Sequence, residues 1–231
     1  VETAFPAGWP LMLSLIAFVA PRNYELARVL PLFFTCVSVL LVYMYLGRYL
    51  EPKLVGAVVV LFAISPAMVL SAGSPMSEPA YITFSLLALY LLARVDTIPR
   101  GITLRAVPLL LALAASIAAS IYVRSIGFVV LATAIMWLVW RRRVLTMILV
   151  LLATILLLIP QFVFNVEAGG AVLSPFYSTA VSGSWLTKVN QAASNATAYV
   201  SDYLPNLLIN AFGPNVDLKL SELGLGWLAL A

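Results

Sequence analysis

From residue 29 to residue 166 the charged side chains fall in short clusters, and the stretches between them are uncharged and apolar. The stretches are 29–47, 54–72, 79–94 (closed by Arg94), 106–123, 125–140 and 144–166. A helix that crosses a bilayer needs ~20 mostly apolar residues. The stretch 144–166 satisfies this outright. The shorter 79–94 is extended by Arg94, which reaches back to the interface, 125–140 is short and closed by Arg141, Arg142 and Arg143, and tilt or local thinning tolerates the length differences. Composition removes the alternative of a water-soluble domain. Of 231 residues, 63% are hydrophobic and 10% charged, against about 25% charged in soluble domains. The expected fold is therefore all-α, a polytopic bundle of transmembrane helices, multi-pass in the cell membrane.

The charges also orient the bundle. Arg48, Lys53, Arg94, Arg100, Arg105, Arg141, Arg142 and Arg143 fall in three loops that alternate onto one side, and the positive-inside rule puts that side in the cytoplasm. The opposite, outer side receives the turns at 71–79 and 122–127. The apolar piece 6–20 is bracketed by Pro6, Pro10 and Pro21. It is read as a short helix in the outer interface, with a full span of inverted topology as the alternative. After 166 the chain changes character. Residues 167–184 are rich in Gly and Ser, a loop. Trp185, Val189, Ala192, Ala196, Tyr199, Tyr203 and Leu207 then recur at helical spacing, an amphipathic outer helix kinked at Pro205. Domain organisation follows as 1–166 transmembrane, 167–220 outer segment, and 221–231 the start of a further span.

Several chemistries are absent from the residues themselves. With no histidine and one cysteine, the chain holds no internal disulfide, no His/Cys zinc set and no Ser-His-Asp triad. Cys36 lies inside an apolar run and is read as a small buried residue. The net charge of +4 belongs to cytoplasmic loops and is no sign of nucleic-acid binding. No acidic or basic residue sits at mid-span, where ion-coupled transporters place them.

Two outer turns carry isolated charges. In SAGSPMSEP (71–79), Glu78 stands alone just ahead of Pro79. One role for it is to complement the helix dipole at the start of the next span. Another is to serve as an acid at an outward-facing cleft. In YVRSIG (122–127), Arg124 is the sole charge between Arg105 and Arg141, on the side where basic residues are scarce. Its planar fork matches a phosphate or carboxylate, and its partner is a lipid headgroup, Glu78 or a substrate. An acid and an arginine together at the outer surface fit a lipid-phosphate substrate.

The order of FPAGWP (5–10), ELARVLP (25–31), VYMYLGR (42–48), SP (65–66), SEP (77–79), YVRSIG (122–127) and WRRR (140–143) resembles the GT-C membrane glycosyltransferases. The nearest groups are the protein O-mannosyltransferases and the aminoarabinose transferase of lipid A, glycosyltransferase family 39. The resemblance runs from about residue 5 to residue 166. It implies transfer of a sugar from a polyprenyl-phosphate donor to a glycan, lipid or protein acceptor on the outer face, and the piece 6–20 matches one of the family's interfacial helices. On that pattern Glu78 takes the second acidic position and Arg124 contacts the donor phosphate. The first-loop acid that activates the acceptor is expected upstream of Val1, since Glu2 sits in no matching motif. A divalent ion shared by Glu78 and that upstream acid is compatible with the pattern, although no residue indicates one. The rival is a lipid or small-molecule transporter. Transporters often carry paired, interrupted spans, whereas Pro66 and Pro108 have no counterparts in a second half of this chain. A non-catalytic membrane scaffold is the third reading.

Overall fold

The computed structural model describes residues 6–19, 23–98 and 106–167. The expected amphipathic helix and the further span at 221–231 lie outside them. The described residues form eight α-helices and no strand. They are α1 (Gly8–Val19), α2 (Tyr24–Leu46), α3 (Pro52–Ala63), α4 (Pro66–Ala72), α5 (Glu78–Asp96), α6 (Val107–Val123), α7 (Phe128–Trp140) and α8 (Val144–Glu167), with a 3-10 turn at Ser125–Gly127. Three segments are long and apolar enough to cross a membrane: Glu25–Leu46, Glu78–Asp96 and Val144–Val163. A fourth results if α3 and α4 count as one broken span. These lengths mark a membrane protein.

Local sequence explains where the helices start and stop. The Oδ1 of Asn23 accepts the Leu26 N–H at 3.1 Å and caps α2. The helix therefore begins several residues before the uncharged stretch, with Glu25 and Arg28 paired on its first turn at 3.2 Å. The stretch 54–72, expected as one span, is instead two helices bent by 54°. Pro66 has no N–H and forces Ser65 out of the helical region, to φ −59° and ψ 138°. Pro160 sits inside α8 and also removes an amide donor. Nearby, the Tyr122 hydroxyl donates to the Leu157 carbonyl at 2.9 Å, tying α6 to α8.

The loop between α7 and α8 closes without a glycine. Arg142 has φ 54°. Its N–H donates to the Val139 carbonyl, and the Arg143 N–H to that of Leu138, both at 2.9 Å, which is the Schellman arrangement. That conformation costs a non-glycine residue ~1–2 kcal/mol. Glycine would escape it but lose ~0.5–1 kcal/mol more chain entropy on folding. Arg142→Gly is thus expected to stabilise the protein by about 0.5–1 kcal/mol, seen as a raised unfolding temperature in detergent. A lowered temperature would show that the Arg142 side chain contributes more than its backbone costs.

α6 is the central helix, packed on α5, α7 and α8. Leu113, Ala114 and Ile117 are fully buried there against Ala88 and Leu92 of α5, Ala134 and Leu138 of α7, and Val150 and Leu158 of α8. Small residues let these backbones approach closely, as helices do where lipid supplies no hydrophobic drive. The α2–α5 contact adds a buried polar pair: Ser38 Oγ and Thr83 Oγ1 lie 2.7 Å apart, and Thr83 also reaches the Phe34 and Pro79 carbonyls. The hydroxyls of Ser116, Ser120 and Thr154 bond carbonyls of their own helices, so they are satisfied without water. Cys36, expected to be buried, is exposed on α2. It shares a face with the exposed Leu32, Phe33 and Leu40. An apolar run offers no stripe that would tell its inner face from its outer one.

Candidate functional site

Antiparallel runs gather the starts of α5 and α7 and the ends of α4 and α6 at one end of the helices. Arg124 arrives there because α6 stops under it. Its backbone is extended, φ −149° and ψ 135°, its N–H still bonds the Ser120 carbonyl at 3.0 Å, and its carbonyl accepts the Gly127 N–H at 2.9 Å. The turn is so tight that a Cβ on Gly127 would fall 2.6 Å from the backbone of Ser120 and Ile121. The two backbone bonds of Arg124 fix the base of its side chain.

Glu78 is the first residue of α5, followed by Pro79 in the first turn, and its carboxylate complements the dipole there. The structure brings Glu78 and Arg124 together: Arg124 Nη1 donates to Glu78 Oε1 in a direct ion pair. The dipole role and the Arg124 contact therefore coexist in one carboxylate. The two side chains are 39% and 41% exposed respectively, so the pair is open to a ligand from outside the bundle. An exposed pair of this kind contributes only ~0–1 kcal/mol. Exchanging one partner for another anion consequently costs little. One Arg124 nitrogen contacts Glu78, and a guanidinium has five N–H donors in all, so donors remain for a second acceptor.

Two further residues build this end that isolated charges did not indicate. Trp9, 8% exposed at the start of α1, donates from its indole Nε1 to the Pro75 carbonyl at 3.1 Å. It holds the turn that leads into Glu78. Gly8 abuts the Tyr122 carbonyl, where a Cβ would come within 2.5 Å. The start of α1 is thus seated on the end of α6, two residues from Arg124. A tryptophan between glycine and proline in FPAGWP was the available signal: a large side chain with one donor, beside a residue that permits close approach.

Among the described residues, Arg48, Arg94, Arg141, Arg142 and Arg143 belong to the opposite end. Arg141 pairs with Asp96 at 2.8 Å, and Arg143 donates to the Asp96 and Ile98 carbonyls at 2.9 and 2.6 Å. This clamp satisfies the last turn of α5 and complements its dipole. Among the described residues no three His, Cys, Asp or Glu side chains could hold a metal ion. Glu78 already faces a guanidinium, so the residues described do not fit a divalent ion at this site. No protein-family model, curated protein or solved structure matches the chain.

Proposed function

We propose that this is a polytopic, multi-pass protein of the cell membrane that transfers a sugar from a polyprenyl-phosphate donor to an acceptor at the Glu78 end, in the manner of the GT-C glycosyltransferases. The observation that carries this reading is the Arg124–Glu78 contact: an arginine and an acid from turns 46 residues apart in sequence meet in a half-exposed position. In the reaction the acceptor oxygen bonds to the anomeric carbon. The bond from that carbon to the phosphate oxygen breaks, its electron pair leaves with the lipid phosphate, and the acceptor proton passes to a carboxylate. Negative charge grows on the phosphate as the bond breaks, and a guanidinium already in place stabilises that charge most in the transition state. Glu78 acts as the second acidic group and keeps Arg124 aimed when no phosphate is bound.

The test is Glu78→Gln, which keeps shape and removes charge. Transfer of labelled sugar from a polyprenyl-phosphate donor is expected to fall roughly tenfold or more, the worth of a charge-assisted hydrogen bond, with an unchanged unfolding temperature. Full transfer by this variant would leave Glu78 only its role at the α5 dipole.

The 54° break between α3 and α4 favours a second reading, a lipid or small-molecule transporter, because transporters bind substrates at interrupted helices. In that case Glu78 and Arg124 gate a substrate, and their variants alter flux of a labelled lipid across vesicles while no sugar is transferred.

A further inference from the structure

A groove opens at the other, basic end, and we infer that it binds a phospholipid with an anionic headgroup, one acyl chain lying over α5 between α2 and α7. The inference rests on the membrane-spanning reading of these helices and is independent of sugar transfer.

The groove has a volume of about 210 Å³ and is lined by Tyr45 and Tyr49 of α2 and its end, Ala93 of α5, and Thr133, Trp137 and Trp140 of α7. α5 packs against both α2 and α7 and so forms the floor. The lining is apolar and aromatic, and its one threonine is already satisfied, donating to the Val129 carbonyl at 2.8 Å. The volume is below the ~300–1,000 Å³ of a pocket for a compact small molecule. A slender hydrocarbon chain suits it better. Tyrosine and tryptophan at the end of a span sit at headgroup depth, with ring bodies in hydrocarbon and polar tips at the interface.

The charges next in sequence to lining residues select the headgroup. Arg48 precedes Tyr49, Arg94 follows Ala93 and Arg141 follows Trp140, so each of the three walls ends in an arginine. Arg141 is paired with Asp96. Arg48 and Arg94 instead gather on a single ring. The Arg48 guanidinium lies 4.9 Å from the Tyr90 centroid, that of Arg94 lies 5.5 Å from it, and Arg94 donates to the Tyr90 hydroxyl at 3.0 and 3.2 Å. Among the described residues no carboxylate pairs with either of them. Two like charges held at one aromatic ring repel each other. A phosphodiester relieves that repulsion, and its position at the bilayer surface puts the attached chain in line with the groove.

The experiment uses the whole chain in phosphatidylcholine vesicles doped with phosphatidylglycerol whose acyl chains carry bromine, a contact quencher of tryptophan. Quenching is expected to saturate at a low mole fraction of the brominated anionic lipid. Brominated phosphatidylcholine at the same fractions is expected to quench weakly and without saturation. The Trp137→Leu/Trp140→Leu variant should lose the difference between the two lipids. Arg48→Ala/Arg94→Ala should raise the half-saturating fraction by roughly fivefold per arginine, the attraction of one basic side chain to an anionic surface, while Arg48→Lys/Arg94→Lys retains most of the preference. Equal quenching by both lipids in the wild-type protein overturns the proposal without recourse to any variant. So does a preference that survives loss of both tryptophans or is indifferent to both arginines.

Discussion

Alanine at position 124 is expected to lower sugar transfer by about 10²–10³, with Arg142→Ala, at the opposite end, unchanged. The magnitude is that of removing a pre-placed donor from a site where charge develops in the transition state. In this protein the loss has two sources. The leaving phosphate loses its guanidinium, and Glu78 loses the cation that faces it, so a carboxylate then stands unopposed where an anion must bind. The second source makes a specific demand on the double variant. Arg124→Ala/Glu78→Gln is expected to bind the donor more tightly than Arg124→Ala alone, because the repulsive charge is gone, yet to transfer sugar no faster than a few-fold above it. Lysine at 124 should recover part of the rate, since it keeps the charge but not the fork that grips two oxygens. Steady-state rates against donor concentration separate these outcomes. If Arg124→Ala and Arg142→Ala are equally active, Arg124 does not belong to the reacting centre.

Gly127→Ala is expected to be, with Gly8→Ala, among the most damaging single methyl groups that can be added to the described part of the Glu78 end. The new Cβ would lie 2.6 Å from Ile121 N and from Ser120 C, and 2.8 Å from Ile121 Cα. All three are backbone atoms of the central helix, which no rotamer change can move aside. Inserting an extra group into a packed core costs ~1–3 kcal/mol when side chains can adjust, and here the helix itself must yield. The cost should appear as a lower unfolding temperature in detergent. It should also appear as lost transfer out of proportion to lost stability, because the displaced turn carries Arg124. Gly56 is the natural control, since a Cβ there meets nothing within 4 Å; Gly56→Ala should be neutral or slightly stabilising. Should Gly127→Ala unfold like wild type, the close packing of the 124–127 turn on α6 would be wrong.

Much of the helical layout was legible because it rests on one-dimensional signals. A charge cannot sit in hydrocarbon, so clusters of charge mark helix ends, and the prolines at 79 and 108 mark first turns where a missing N–H does no harm. The same logic located Arg124 in a tight turn and Glu78 at a helix start. It misplaced the start of α2, because Glu25 and Arg28 pair on a first turn that still belongs to the helix. It also missed the break at Ser65, since Pro66 reads equally well as a kink or as a new first turn.

What the sequence by itself determined is which segments are apolar and helical and which charges lie at which end. The tertiary structure alone decided which faces meet: that Glu78 reaches Arg124, that Trp9 pins the turn at Pro75, that Cys36 faces outward, and that Tyr45 and Trp140 line one groove. In water a helix declares its inner face by polarity. Lipid tails are as apolar as a protein core, so that contrast vanishes, and close packing of small residues and a few hydrogen bonds settle the pairing instead.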